Sequence, residues 1–262
     1  MRKTAINTEV VDGVTFELRP LVRNATNPGW VCLRKTPRFV QRYRALAPEL
    51  QGCRMVEVGV DQGGGTSFFL KLFKPQRLLA IELSSEPVPK LMNFLAEHDK
   101  ENCVNVCWGV DQADTVEVPR LVDDMFGGET LDIVVDDASH LLNPTTTTFE
   151  LLFPRLRRGG LYVIEDWSSE HLMDARIAAE IASFPERFQA QKQTSVANAD
   201  YEMPMSFLIC QLLIASAHNA EWITDIRVGK GICEIRRGAA DIEPGTPIAD
   251  YLGGLGRWML NC

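Results

Sequence analysis

No stretch of this sequence approaches the roughly 18 consecutive apolar residues of a membrane span, and Met1 to Val14 lacks the apolar core of a secretory leader. The expected compartment is therefore the cytoplasm, with no membrane as partner. Positive charge is scarce too: 27 Lys and Arg stand against 35 Asp and Glu, for a net charge of −8. That sign repels phosphate backbones and anionic headgroups, so no nucleic acid is expected, and a small neutral or cationic ligand fits better. Of the seven cysteines only Cys103 and Cys107 are close together, and no second pair stands at zinc-site spacing. Reduced thiols are the expectation. Internal repeats and low-complexity segments are absent. What remains, at 262 residues, is enough chain for one α/β domain with additions.

The organising stretch runs from Leu131 to Trp167. Leu131 to Val135 is a β-branched run of the kind buried on both faces of a parallel sheet, and it ends in Asp136, Asp137, Ala138, Ser139 and His140. Phe149, Leu152, Phe153 and Leu156 recur at helical spacing, which predicts a helix over 145–156 stopped by Gly159-Gly160. A second buried strand, Leu161 to Ile164, ends in Glu165 and Asp166. Such a βαβ unit brings both acidic ends to the same rim, where open α/β sheets bind ligands. Four carboxylates converging there repel one another unless a cation joins them.

Upstream, Arg54 to Val60 reads as a strand that enters Asp61-Gln62-Gly63-Gly64-Gly65-Thr66-Ser67 ahead of the apolar helix Phe68 to Phe73. Glycines at such a turn let a ligand approach the backbone and the free amides of a helix start. Arg77 to Leu83 is the next strand. Its Glu82 is placed to accept hydrogen bonds from both ribose hydroxyls of an adenosine. No lysine occupies the P-loop position, which disfavours a triphosphate. After a helix over 89–98 and a strand over 104–108, Asp111 and Gln112 place an acid and an amide side by side, suited to the edge of an adenine or to a solvated loop. A helix over 118–125 precedes the organising stretch.

The ends are less regular. Residues 1–35 form an N-terminal arm or packed extension, with a short hairpin around Asp12-Gly13, and Thr36-Pro37 caps a helix running to about Leu46. The main domain spans 36–240. Within it, 168–201 is mixed and polar and is expected to act as a lid or acceptor-binding insertion, and Trp167, His171 and Tyr201 are candidates to line an acceptor pocket. An apolar helix over 205–217 and a hairpin, Trp222 to Val228 and Ile232 to Arg236, follow. The tail, 241–262, is expected to pack on a neighbour, and His98 and His218 are read as structural.

The succession of strand, glycine turn, helix, acid-ended strand and closing hairpin resembles a class I S-adenosylmethionine-dependent methyltransferase. The strings Val134-Val135-Asp136-Asp137-Ala138-Ser139-His140 and Gly159-Gly160-Leu161-Tyr162-Val163-Ile164-Glu165-Asp166 resemble a narrower group. That group comprises the metal-dependent sugar O-methyltransferases of macrolide biosynthesis, of mycinamicin and tylosin type, and the related cephalosporin-hydroxylase-type proteins. The resemblance covers about residues 52–167. It implies a Rossmann-like, seven-stranded, mostly parallel sheet with a C-terminal antiparallel hairpin. It also implies S-adenosylmethionine and Mg2+ or another divalent cation as cofactors, a saccharide or glycosylated small molecule as acceptor, and a homo-oligomer. Asp137, Glu165 and Asp166 match the metal ligands and His140 the general base. Glu57, Gly59, Gly63, Glu82, Asp111 and Gln112 fall where the cofactor is held, joined by Thr66 and Ser67 at the helix start and by Asp136 near the methionine end. Ala138 replaces the more usual glycine.

The chemistry agrees with these roles. A sugar hydroxyl ionises far above neutrality, so methyl transfer needs aligned reactants and a route for the proton. Hard oxygen ligands suit magnesium, which orients a diol and acidifies it, and a histidine then takes the proton. Rival readings are a catechol-like diol as acceptor, a cofactor-binding partner protein without catalysis, and a nicotinamide-dependent dehydrogenase; the last leaves the second acidic pair without a purpose.

Overall fold

The computed structural model describes residues 7–19, 24–169 and 203–252. Its centre is a seven-stranded sheet in the order β6-β5-β4-β7-β8-β10-β9, from Arg54–Val58 (β4), Arg77–Glu82 (β5), Val104–Trp108 (β6), Leu131–Asp136 (β7), Leu156–Glu165 (β8), Ile223–Gly229 (β9) and Ile232–Arg237 (β10). β4 to β8 are mutually parallel, and β10 pairs antiparallel with both β8 and β9. The chain leaves β4 towards β5 and β6, then returns to place β7 on the other side. The order therefore reverses between β4 and β7, and a crevice opens at their carboxyl ends.

Strand alternation divides the core. Met55, Leu78, Ile133 and Val163 face one side, where Pro37–Leu50 (α1), Gly64–Phe73 (α2) and Pro89–His98 (α3) cover them. Val56, Leu79, Val134 and Tyr162 face the other, under Glu117–Phe126 (α4), Leu142–Leu152 (α5) and Ser206–His218 (α6). Both faces are dry, which is why these strands read as near-continuous apolar runs.

The described residues of the N-terminal arm form a small sheet that packs against α2. Thr8–Val11 (β1) and Val14–Leu18 (β2) pair antiparallel about Asp12 and Gly13, both left-handed at φ 47° and 78°, and Val31–Leu33 (β3) adds in parallel. Phe16 is fully buried, edge-on to Phe68 with ring centroids 5.5 Å apart. Thr36 caps α1 by accepting from the Phe39 amide at 3.3 Å. That helix passes the expected end near Leu46 and runs to Leu50, because Leu50 continues the buried face while Pro48 removes only one late amide bond.

Two boundaries differ from expectation. α5 ends at Leu152, followed by a single 3-10 turn over Phe153–Arg155, and β8 begins at Leu156. Gly159-Gly160 thus lies inside a strand, where Gly159 takes a φ of 74°; buried Phe153 and Leu156 are claimed by the sheet face rather than by a longer helix. The tail also turns inward: Ile248–Tyr251 (α7) brings Tyr251 edge-on to Trp222 at 4.6 Å, so residues 241–252 join this chain's own core. The expected lid lies outside the described residues from 170 to 201, as do His171 and Tyr201. Among the described residues no helix is long and apolar enough to cross a membrane, and no disulfide joins the six described cysteines.

Truncating Phe16→Ala is expected to lower unfolding stability by about 3–5 kcal/mol, read from urea denaturation. A loss below about 1 kcal/mol would mean that the arm is not part of the cooperative core.

Candidate functional site

The crevice is a cavity of about 630 Å3, within the range of small-molecule sites, and its walls come from the carboxyl ends of the parallel strands. On the β4 side stand Glu57 and Gly59. Gly59 takes a φ of 94°, and a Cβ there would lie 2.3 Å from the Asp137 carbonyl, so the close pairing of the β4 and β7 ends requires glycine. Glu57 is 2% exposed, its Oε2 has no partner among the described residues, and burial pushes its carboxyl up to about 8. Glu82, at the end of β5, is fixed by three backbone amides: Val60 and Asp61 donate to Oε2 at 2.9 and 2.8 Å, and Ser84 to Oε1 at 2.9 Å. Asp111, exposed beyond β6, also lines the cavity.

The opposite wall carries Asp137, His140 and Asp166, whose ligating atoms lie within 4.8 Å of one another. The Asp137 amide donates to the Val58 carbonyl at 2.8 Å, which ties it to β4, and the Asp166 amide donates to Gly231 in the β9–β10 turn. His140 and Asp166 are left-handed at φ 57° and 52°, a region where His and Asp are tolerated better than most residues. His140 Nε2 lies 3.1 Å from Asp137 Oδ1. Burial would lower the imidazole pKa, but the Asp137 hydrogen bond and charge, then the Asp166 charge, raise it above the ordinary value.

Lys35, which the sequence reading passed over, stands at the centre. It follows β3 immediately before the Thr36 cap, its side chain is 4% exposed, and its Nζ donates to Asp137 Oδ2 at 2.9 Å and to both Glu165 oxygens at 2.7 Å. The Tyr43 hydroxyl donates to Glu165 Oε1 as well. Burial opposes the lysine's charge, but Asp137 and Glu165 outweigh it and raise its pKa. Burial would raise Asp137 too, yet Lys35 and then His140 hold it well below the usual aspartate value. Four carboxylates without a basic residue nearby in sequence were the available signal.

Several expected residues take other positions. Glu165 is 1% exposed and turned to Lys35, away from the Asp137, His140 and Asp166 group. Gly63, Thr66, Ser67 and Asp136 stand behind the cavity wall rather than on it. Gly63 begins α2 in a left-handed conformation against Leu91, and the Ser67 hydroxyl bonds back to the Gly63 carbonyl at 2.8 Å. Thr66 is fully buried. Asp136 accepts from the Tyr162 hydroxyl at 3.1 Å on the inner face, and burial pushes it up to about 7. Gln112 reaches the cavity but spends its amide on bracing: Nε2 donates to Thr148 Oγ1 at 2.9 Å, and Oε1 accepts from the Ser139 amide at 2.9 Å. Trp167 bonds to the Gly229 carbonyl at 2.9 Å, and His98 packs on the Phe94 ring at 4.3 Å.

Between its ordinary value of 4.5 and about 8, Glu57 holds a proton in the folded protein that the unfolded chain has released. Stability therefore falls as pH rises through that window, by at most about 1.4 kcal/mol per pH unit. The urea midpoint should drop from about pH 5 to about pH 8, with Asp136 contributing up to about pH 7, and Glu57→Gln should make the decline shallower. An equal decline in the variant would assign it elsewhere.

Known proteins resemble this chain in sequence and in fold. Residues 56–167 match a methyltransferase domain family. The demethylmacrocin O-methyltransferase of Streptomyces fradiae is 30% identical over 162 residues, 58% of this chain and 37% of that protein. The 8-demethyl-8-alpha-L-rhamnosyl tetracenomycin-C 2'-O-methyltransferase of Streptomyces olivaceus is 43% identical over 61 residues, 23% of this chain and 15% of that one. The solved MycE methyltransferase of the mycinamycin biosynthetic pathway, in complex with Mg, SAH and mycinamycin VI, superposes with a TM-score of 0.50 at 23% identity, covering 82% of this chain and 52% of that one. The chain thus spans about half or less of the length of each of these proteins. The seven-stranded sheet built around residues 56–167 is the class I methyltransferase fold.

Proposed function

We propose that this chain is an S-adenosylmethionine-dependent O-methyltransferase that acts on a saccharide hydroxyl of a glycosylated small molecule, with His140 as general base beside a divalent cation held by Asp137 and Asp166. The observation that carries this reading is the convergence of two unlike walls on one cavity: an acid-and-glycine wall of Glu57, Gly59, Glu82 and Asp111, and a base-and-carboxylate wall of Asp137, His140 and Asp166. The acceptor class draws on the likeness of the two strand-end strings to sugar O-methyltransferases, and on relatives whose names give demethylmacrocin and a rhamnosyl tetracenomycin-C.

Each cofactor meets a fitting surface. Glu57 presents a buried carboxyl group with one oxygen unpartnered among the described residues; an ammonium such as that of the methionyl end would pair with it and favour its ionised form. Glu82, immobilised by three amides, can accept from a vicinal diol such as a ribose. Asp137 and Asp166 offer hard oxygens for Mg2+. When bound, the sulfonium supplies an electrophilic methyl and the divalent cation orients and acidifies the attacking hydroxyl.

The protein's own groups handle the proton. Because Asp137 is held ionised it can only accept, so His140 Nε2–H donates to it and the other ring nitrogen keeps a lone pair. That nitrogen takes the hydroxyl proton, and the Asp137 charge stabilises the resulting imidazolium. The base works only when unprotonated, so turnover should fall as pH drops through the His140 midpoint; Asp137 and Asp166 hold that midpoint above the ordinary histidine value in the metal-free protein, and a divalent cation on them lowers it.

The first test is calorimetric titration with S-adenosylhomocysteine, with magnesium and then with EDTA. Binding is expected in both conditions, and none in either would overturn the methyltransferase reading. His140→Ala is expected to keep that affinity and to lose about 10²–10⁴ in kcat on a rhamnosylated acceptor. Undiminished turnover would remove the base assignment. For Asp166→Asn, the magnesium concentration needed for half-maximal turnover should rise at least about tenfold, matching the loss of one charged ligand.

A further inference from the structure

An ammonium group has three hydrogens to donate, and those of Lys35 face three carboxylate oxygens: one on Asp137 at 2.9 Å and both of Glu165 at 2.7 Å. The rings of Tyr43 and Phe69 enclose the same nitrogen at 5.9 and 5.5 Å. Glu165 is enclosed: Lys35 holds both oxygens, Tyr43 adds a bond to one, and the residue is 1% exposed. A magnesium ion sits about 2.0–2.1 Å from its oxygen ligands. It cannot enter beside an ammonium that shares those oxygens without close like-charge repulsion. Asp137 differs, because Lys35 holds only its Oδ2 while its Oδ1 meets His140, and ligating atoms of Asp137, His140 and Asp166 lie within 4.8 Å of one another.

We propose that Lys35 is a resident cation of this site: it satisfies Glu165 from within the protein and leaves Asp137 and Asp166 as the carboxylates open to an external divalent ion. This rests on the reading of Asp137 and Asp166 as a metal-holding pair, and it departs from the three-carboxylate set that the family resemblance implies. Two consequences follow from the charge count. The site neutralises part of its negative charge before any metal arrives, so it binds divalent ions more weakly than three free carboxylates would. Lys35 and the ion also share Asp137, one on each oxygen, so each weakens the hold of the other.

The test is Mn2+ titration of the full chain followed by electron paramagnetic resonance, which reads metal binding without turnover. Asp166→Asn should weaken Mn2+ binding at least about tenfold, as expected for a lost charged ligand. Glu165→Gln should weaken it less, by about fivefold or under, because Glu165 acts on the ion only through the charge it neutralises on Lys35. Lys35→Met should tighten it at least about fivefold by removing a like charge beside Asp137. If Lys35→Met fails to fold, the Glu165 and Asp166 variants decide the matter alone. Weakening by Glu165→Gln as large as by Asp166→Asn would overturn the inference, as would unchanged affinity in a folded Lys35→Met protein or no Mn2+ uptake by the parent chain. S-adenosylhomocysteine titration of the same samples separates the two claims: binding retained with the wrong metal pattern defeats the resident cation alone, and no binding by the parent defeats the methyltransferase reading.

Discussion

A buried ion pair organises the carboxyl edge of the sheet. Parallel strands bring all their carboxyl ends to one rim, and here that rim collects Glu57, Asp136, Asp137, Glu165 and Asp166. Removing one partner of a buried pair typically costs about 3–5 kcal/mol, because the other charge stays behind without compensation. Lys35 is the counter-charge, and it comes from outside the sheet. The N-terminal strands therefore serve the site: Phe16 and Leu33, both fully buried, anchor the segment that delivers the ammonium 102 residues away in sequence to Asp137 and 130 away to Glu165.

The carboxylates around that charge are differentiated by which way each strand residue faces. Asp136 and Asp137 are neighbours in sequence, yet the strand's alternation sends one inward to Tyr162 and Gln112 and the other to the cavity. Burial raises the first, and Lys35 and His140 draw the second down. Glu57, buried beside the glycine turn, is raised as well. One edge thus offers an acid that holds its proton near neutrality and another that stays ionised, the separation of environments on which acid and base roles depend. Gln112 joins the two faces by bonding Thr148 below and the Ser139 amide above, which fixes the loop that carries His140.

The legible parts of this molecule were those encoded locally. The strand with two terminal acids, the histidine three residues after Asp137, the Asp12-Gly13 turn and the Thr36-Pro37 cap each depend on a few adjacent residues, and each is found where the pattern places it. Lys35 was not legible, because a lysine beside a cap is ordinarily solvated and only tertiary pairing explains its burial. Thr66 and Ser67 were drawn to the cavity by their place in the glycine turn, but a helix that starts at Gly64 turns them into the core. Gly159-Gly160 has the composition of a helix stop and interrupts a strand instead, since the apolar residues before it are buried whichever element carries them. The need for a positive charge among the acids was readable; that a side chain would meet part of it was not.

The terminal hairpin gives the site its last wall. β10 inserts between β8 and β9 with Ile232 opposite Glu165, which brings the Lys230-Gly231 turn directly over the end of β8. Gly231 takes a φ of 77°, and a Cβ there would lie 3.2 Å from the Phe39 ring and 3.5 Å from Asp166 Oδ1, so the turn passes through a gap that admits little more than backbone. Its carbonyl holds the Asp166 amide while Asp166 itself adopts a left-handed conformation, one that persists when the surroundings over-determine it. α1 supplies Phe39 on one side of this gap and Tyr43 on the Glu165 side. The same helix and hairpin therefore seat Glu165 against Lys35 and turn Asp166 outward towards His140. Two adjacent carboxylates are sent to different partners by the ion pair on one and the backbone turn that holds the other.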